Sequence, residues 1–201
     1  MNNRTNEDKQ AEASGAGSFR PKLTFYHANA RGTGAAVSFE LHPAHGDTDG
    51  SIWVQFANQL TVGDRRGPNP TFPRFDWENK IVARLGFDDL TQMLQVFRGE
   101  CESINDGKGL YHVSPAGTTS IRLRHVVEPV AGYPFEVYRT PRGSGEEVHS
   151  FIQLTPAEAL GLGAAIESLF GYICFGIPQV IERDTSEYRA AAKEVRDVRA
   201  A

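Results

Sequence analysis

Twice along its 201 residues this chain runs from strands that alternate apolar and polar side chains into a helix, each time in the same order. That internal repeat constrains the fold more than any other feature, because a recurring unit must bury its apolar face in the same way each time. In the first half, "KLTFYHA" sets Leu23 and Phe25 opposite Lys22, Thr24 and Tyr26. "AAVSFELH" sets Val37, Phe39 and Leu41 opposite Ser38 and Glu40, and "SIWVQFANQ" sets Ile52, Val54 and Phe56 opposite Trp53 and Gln55. "NKIVARL" aligns Ile81, Ala83 and Leu85. A period of two with one apolar side marks a strand covered on one face. A helix follows, with Leu90, Met93, Leu94 and Phe97 at helical spacing, Asp88 or Asp89 as its cap and Gly99 as its stop.

The second half does the same. "SIRLRHVVEP" alternates Ile121 and Leu123 with Arg122 and Arg124, and "PFEVYRT" alternates Phe135 and Val137 with Glu136 and Tyr138. "SFIQL" then leads into "TPAEALGLGAAIESLFGYICFG", where Thr155 is the N-cap, Pro156 the first helical residue and Glu158 the return partner of a capping box. The pattern predicts an α+β fold of two β-β-β-β-α repeats, at about 21–100 and 108–178, within one domain over 21–180. Each repeat supplies an antiparallel four-stranded sheet packed with a helix. The second helix is apolar almost all round, through Leu160, Leu162, Ile166, Leu169, Phe170, Ile173 and Phe175. One sheet cannot cover such a helix, which points to self-association. Residues 1–20 read as a disordered tail and 181–201 as a helical or flexible one.

Charge narrows the function. Each tail is neutral by count, so the net charge of −4 belongs to the middle of the chain. Bulk attraction to nucleic acid is absent, and any strand would be held by a local surface. The amino-terminal residues have no apolar core of a secretory signal, and Glu7, Asp8 and Glu12 do not suit a transit peptide. Gly161, Gly163, Glu167, Gly171 and Gly176 interrupt the longest apolar stretch, so no membrane span is expected. Cys101 and Cys174 are far apart without metal-ligand spacing and read as reduced thiols. The expected location is cytoplasmic, on the nucleoid in a bacterial cell.

No phosphate loop, nucleophile elbow or dinucleotide fingerprint occurs, and no cofactor is expected. "HPAHGD" brings His42, His45 and Asp47 close in sequence, which a metal-dependent enzyme could use. Pro43 and Gly46 make the segment a turn, and a polar strand connection is the better account. Asp88 and Asp89 suit helix capping better than acid–base work. The expectation is a non-enzyme without a metal site.

The polar sides of the strands carry the functional signal. Tyr26, Trp53, Gln55, Arg122, Arg124 and Tyr138 lie opposite the apolar residues, and Arg31, Asn58, Gln59, Arg65, Arg66 and Arg139 lie near them. Aromatics interleaved with Arg, Gln and Asn suit a single strand, whose bases stack for ~1–3 kcal/mol each. Packing Trp53 and Tyr138 into a second hydrophobic layer is the competing account.

These residues also resemble a known family, the Whirly single-stranded-DNA-binding proteins, whose fold is shared with mitochondrial guide-RNA-binding proteins. "FDWENKIVARLGFDDLTQMLQVFRG" is similar to the family's Tyr-Asp-Trp, basic residue, strand, helix and closing glycine. "RGTGAAVSFEL" is similar to its Lys-Gly-Lys-Ala-Ala-Leu motif, with Thr33 in place of the second lysine, and the segment from Pro134 to Gly176 is similar to its last hairpin and helix. The resemblance implies homotetramers with helices at the centre and single-stranded DNA along the sheets with little sequence preference. RNA is the alternative ligand. It places Arg31, Gly32 and Thr33 at the glycine-rich motif, and Trp77 and Lys80 at the aromatic-acidic one. With these, Tyr26, Trp53, Gln55, Asn58, Arg122, Arg124, Tyr138 and Arg139 complete the expected binding set.

Overall fold

The structure, a computed structural model, describes residues 22–64, 66 and 68–177. The alternating segments of the first half form β1 (Lys22–His27), β2 (Ala35–His42) and β3 (Ser51–Thr61), joined antiparallel in that order. The far end of β3 pairs with the short β4 (Arg74–Phe75), and its near end pairs with β5 (Ile81–Leu85). Register sets Leu23, Phe39 and Val54 side by side, then Ala83, so one face of the sheet is continuously apolar.

The second sheet runs β6 (Leu110–Ser114), β7 (Gly117–Leu123), β8 (Tyr133–Pro141) and β9 (Val148–Leu154), antiparallel throughout. β6 has no legible alternation, because Leu110 is its sole buried residue while Tyr111 and Val113 point to solvent. A tight turn over Ile104–Gly107, with Asn105 and Asp106 in left-handed backbone, precedes it and buries Ile104.

The two apolar faces meet. The Phe135 ring lies 4.9 Å from Phe56 and 6.2 Å from Phe39, joining the sheets at the centre of one core. Burying a side chain of this size contributes about 1.5–3 kcal/mol, so Phe56, Phe135, Ile121 and Leu154 together outweigh any surface ion pair here.

Each sheet ends in its helix, α1 (Phe87–Phe97) and α2 (Pro156–Phe175), and the helices pack on each other. In α1 the cap is Gly86 rather than an aspartate. Asp89, at the third helical position, accepts the Gly86 N–H at 3.0 Å. In α2 the Thr155 hydroxyl accepts the Glu158 N–H at 3.2 Å, and the Glu158 carboxylate accepts the Thr155 N–H at 2.8 Å. Arg98, after α1, reaches Glu167 of α2 at 2.7 Å. Leu162, Ile166 and Ile173 of α2 are buried, whereas Leu160 and Phe175 are 75% and 88% exposed. By length and composition alone α2 is long and apolar enough to cross a bilayer, its glycines notwithstanding, and it packs one buried stripe, including Ala159, Leu162, Ile166 and Ile173, against the rest of the fold. The two expected tails lie outside the described residues.

Candidate nucleic-acid interface

Where β1 ends, the outer side of the first sheet collects three rings. Tyr26 is exposed, its centroid 5.4 Å from Phe75 and 6.3 Å from Trp77. The distant triplet arrives there because Phe75 of β4 pairs with Gln59 of β3, and the Asp76 N–H donates to the Asn58 carbonyl at 2.8 Å. The Asp76 carboxylate accepts the Asn79 N–H at 3.1 Å and closes the turn that delivers exposed Lys80 to β5. The Asn79 side-chain amide and backbone hold that carboxyl below its ordinary pKa.

The loop between β1 and β2 stands beside these rings. Asn29 Oδ1 accepts the N–H groups of Arg31 and Thr33 at 3.0 and 3.1 Å, and Gly32 takes a φ of 73° that glycine adopts without strain. Gln59 braces the loop from beneath. Its Oε1 accepts from Asn29 N and Gly34 N at 2.9 and 3.1 Å, and its Nε2 donates to the Asn29 and Thr61 carbonyls at 3.0 and 3.1 Å. Gly34 has no room for a side chain, since a Cβ there would press on the His27 carbonyl oxygen and Gln59 Oε1. Arg31 and Thr33 are thus exposed on a backbone fixed by one buried amide.

On the second sheet Tyr138 stacks on His149, centroids 4.4 Å apart and planes 22° from parallel, and the Arg122 guanidinium lies 5.2 Å from the Tyr138 centroid. The Tyr138 hydroxyl donates to Glu136 at 2.6 Å. That bond, and then burial, raises the phenol's pKa. Arg124 and His149 approach the same carboxylate at 3.9 and 4.0 Å. Asn58 joins the two groups, its Nδ2 donating to the His149 carbonyl at 3.1 Å across the sheet junction. Contacts through Asn58 and the His149 backbone therefore connect the Tyr26, Phe75 and Trp77 rings on the outer side of the first sheet to Tyr138 and Arg122 on the outer side of the second.

Trp53 lies apart. It stacks on His42 at 4.8 Å, five residues along β3 from Asn58, or about 17 Å in an extended strand. There Glu40 receives Lys22 at 2.7 Å, His42 at 3.0 Å and the Gln55 amide at 3.3 Å, so Gln55 is buried and committed. Burial raises the Glu40 pKa, but Lys22 and His42 outweigh it and the carboxyl titrates below its usual range. Arg139 is also turned away. It shares the inner side of β8 with Phe135 and Val137, and its Nη1 donates to the Val82 carbonyl at 3.2 Å.

The metal alternative does not assemble. His42 is turned onto Trp53 and Glu40, and His45 is tied by its backbone to Thr48. Among the described residues no group of three or more His, Cys, Asp or Glu is placed to hold a metal. The sequence reading missed Gln59 as the loop's brace, His149 as Tyr138's stacking partner, and the carboxylates Glu40 and Glu136 on the two sheet faces. For Gln59 the one available signal was an amide at the end of a strand whose other residues are mostly apolar.

No protein-family model matches the sequence, and no curated protein matches it. Solved structures do share its fold. WHY1 from Arabidopsis thaliana superposes with a TM-score of 0.62 at 16% identity, covering 90% of this chain and 93% of that one. WHY3 from Arabidopsis thaliana gives 0.60 at 15% identity over 92% and 100%. The plant transcriptional regulator PBF-2 gives 0.55 at 15% identity over 78% and 91%. At these identities the likeness is one of fold, and the fold is Whirly-like.

Proposed function

We propose that this chain is a non-enzymatic single-stranded DNA-binding protein with little sequence preference. The observation that carries the reading is the connected region from Tyr26, Phe75 and Trp77 past the braced loop to Asn58, His149, Tyr138 and Arg122. Rings on both sides of a sheet junction offer successive stacking platforms, and every base has a face to stack. Arg31, Lys80, Arg122 and Arg124 supply the phosphate contacts around them. The fold shared with Whirly proteins, one of them a transcriptional regulator, supports the reading.

Unpaired, flexible strands fit this surface and a duplex does not. A duplex hides its base faces, and the rings are distributed over two sheets rather than on one element that could enter a groove. Glu136 lies beside Tyr138 and Arg124 on the outer side of the second sheet, so phosphate attraction is moderate and stacking carries a large share of affinity. The protein acts as a homo-oligomer, with the exposed apolar side of α2, including Leu160 and Phe175, covered by another copy.

The test is competition on folded protein. A fluorescent oligo-dT complex should be displaced by unlabelled oligo-dT and far less by a duplex of the same length. The Tyr26→Ala, Tyr138→Ala double variant should bind much more weakly. Displacement by duplex and strand alike, or a double variant as tight as the parent, would refute the stacking surface. A matched RNA strand in the same assay decides between the two nucleic acids.

A further inference from the structure

Beside β5, where the edge of the first sheet meets the inner side of β6, β7 and β8, lies a half-open cleft of about 380 Å³. Its ionisable lining is Arg84, His112 and Arg139, joined by the hydroxyls of Ser114 and Thr119, and no carboxylate lines it. In a chain of net charge −4, that is a local reversal of sign.

Arg139 is the central group. Its guanidinium is half-buried, and one nitrogen donates to the Val82 carbonyl at 3.2 Å. Among the described residues no carboxylate lies within 4.0 Å of it. A guanidinium presents five N–H donors in a planar fork, so most of its donors remain for whatever enters the cleft. A half-buried cation without a counter-charge is unfavourable, and the fork matches the tetrahedral oxygens of phosphate better than any neutral group. Arg84 stands at the rim, anchored by donation from its Nη2 to the Asp49 carbonyl at 2.8 Å. His112 pairs with Asp89 at 3.3 Å. That hydrogen bond raises the imidazole pKa against the opposing effect of burial, so the ring gains positive charge more readily than a free histidine. Asp89, the nearest acid, is occupied with His112 and with the Gly86 N–H.

We propose that this cleft binds a single phosphate group, held by Arg139 with Arg84 and His112 at its rim. The site is separate from the stacking rings, since Arg139 faces inward while Tyr138, its neighbour on β8, faces out. It deepens the strand-binding reading in one respect: that reading makes a strand's phosphate the natural source. A pocket closed on one side suits a terminal phosphate monoester, which has one free end and three unsubstituted oxygens, better than a diester that must enter and leave.

Isothermal titration of the full chain with inorganic phosphate, against chloride at matched ionic strength, tests the site without any strand. The expected result is one phosphate per chain, with affinity several-fold weaker in Arg84→Gln and binding lost in Arg139→Gln. Arg139 also ties the sheets together, so Arg139→Lys serves beside it, keeping the charge and losing the fork. Its affinity should fall between the parent's and that of Arg139→Gln, and the exposed Arg84 can be changed without touching the core. No saturable heat from phosphate, or binding unchanged in both Arg84→Gln and Arg139→Gln, would overturn the proposal. The second arm compares oligo-dT carrying a 5′-phosphate with its 5′-hydroxyl twin. Several-fold tighter binding of the phosphorylated strand, lost in Arg139→Gln, supports the cleft as a site for strand ends. Equal binding beside a positive titration supports it as a site for a free phosphate. Strand binding with no phosphate heat removes the cleft and leaves the sheet surface standing, whereas phosphate heat with no strand binding does the reverse.

Discussion

Replacing Gln59 with alanine separates a loop that is held in place from one that merely lies near the rings. The side chain is 8% exposed and barely meets solvent, so its effect on a strand must pass through the loop it braces. It makes four hydrogen bonds of 2.9–3.1 Å, two to Asn29, one to Gly34 and one to Thr61. Asn29 and Thr61 are exposed, so water can replace most of their bonds, while Gly34 is buried and its N–H would be orphaned. An ordinary bond contributes about 0.5–1.5 kcal/mol net and an orphaned buried donor costs about 1–3 kcal/mol. The expected destabilisation is therefore about 2–4 kcal/mol. Urea unfolding measures it as a lowered midpoint at unchanged slope. At a urea concentration of zero, where the variant stays folded, its affinity for oligo-dT should fall several-fold, because Arg31 and Thr33 lose their fixed backbone. A loss of stability under about 0.5 kcal/mol with unchanged affinity would refute the bracing role, that being the range of an ordinary surface change.

Four further outcomes follow from the same geometry. Tyr138→Ala removes a stacking ring and the partner of Arg122, and should weaken strand binding by ~1–3 kcal/mol, read by anisotropy. Trp53→Ala should weaken it less, because Trp53 lies outside the connected region. Leu160→Glu with Phe175→Glu places charge on the exposed side of α2 and should shift the oligomer toward monomer in light scattering; an unchanged mass would contradict the proposed contact. The His112–Asp89 pair raises the folded-state pKa of the imidazole, so its contribution is complete below the unfolded value near 6.5 and is lost as pH rises through the folded value. The stability gap between the parent and His112→Gln should accordingly narrow between about pH 6 and pH 8, and a gap that widens would reverse the assignment.

The parts of the molecule that were readable in advance are those encoded by neighbours in the chain. Val37, Phe39 and Leu41 announce a strand because consecutive side chains must point to opposite faces, and Thr155 with Glu158 announces a helix start because the cap closes over one turn. What could not be read depends on distant partners. Gln59 becomes a brace only once the β1–β2 loop, some thirty positions away, folds over it. Arg139 looks like its exposed neighbours until the pleat turns it inward toward Val82. Asp89 caps its helix as a local pattern suggests, but not as the N-cap residue, and its second role with His112 is invisible without the tertiary fold. β6 escaped because an edge strand with one buried side chain has almost no periodic signature.

The central claim is that the sheet junction binds single strands through rings as well as charge. It is tested most directly by the salt dependence of oligo-dT affinity on folded, full-length protein. The account predicts saturable binding at low salt and a shallow decline with rising salt, because Glu136, 3.9 Å from Arg124, limits the number of phosphates neutralised while the stacking remains. It predicts far weaker binding of duplex at every salt concentration. Absence of strand binding at low salt would contradict the account, as would a steep salt dependence shared equally by strand and duplex.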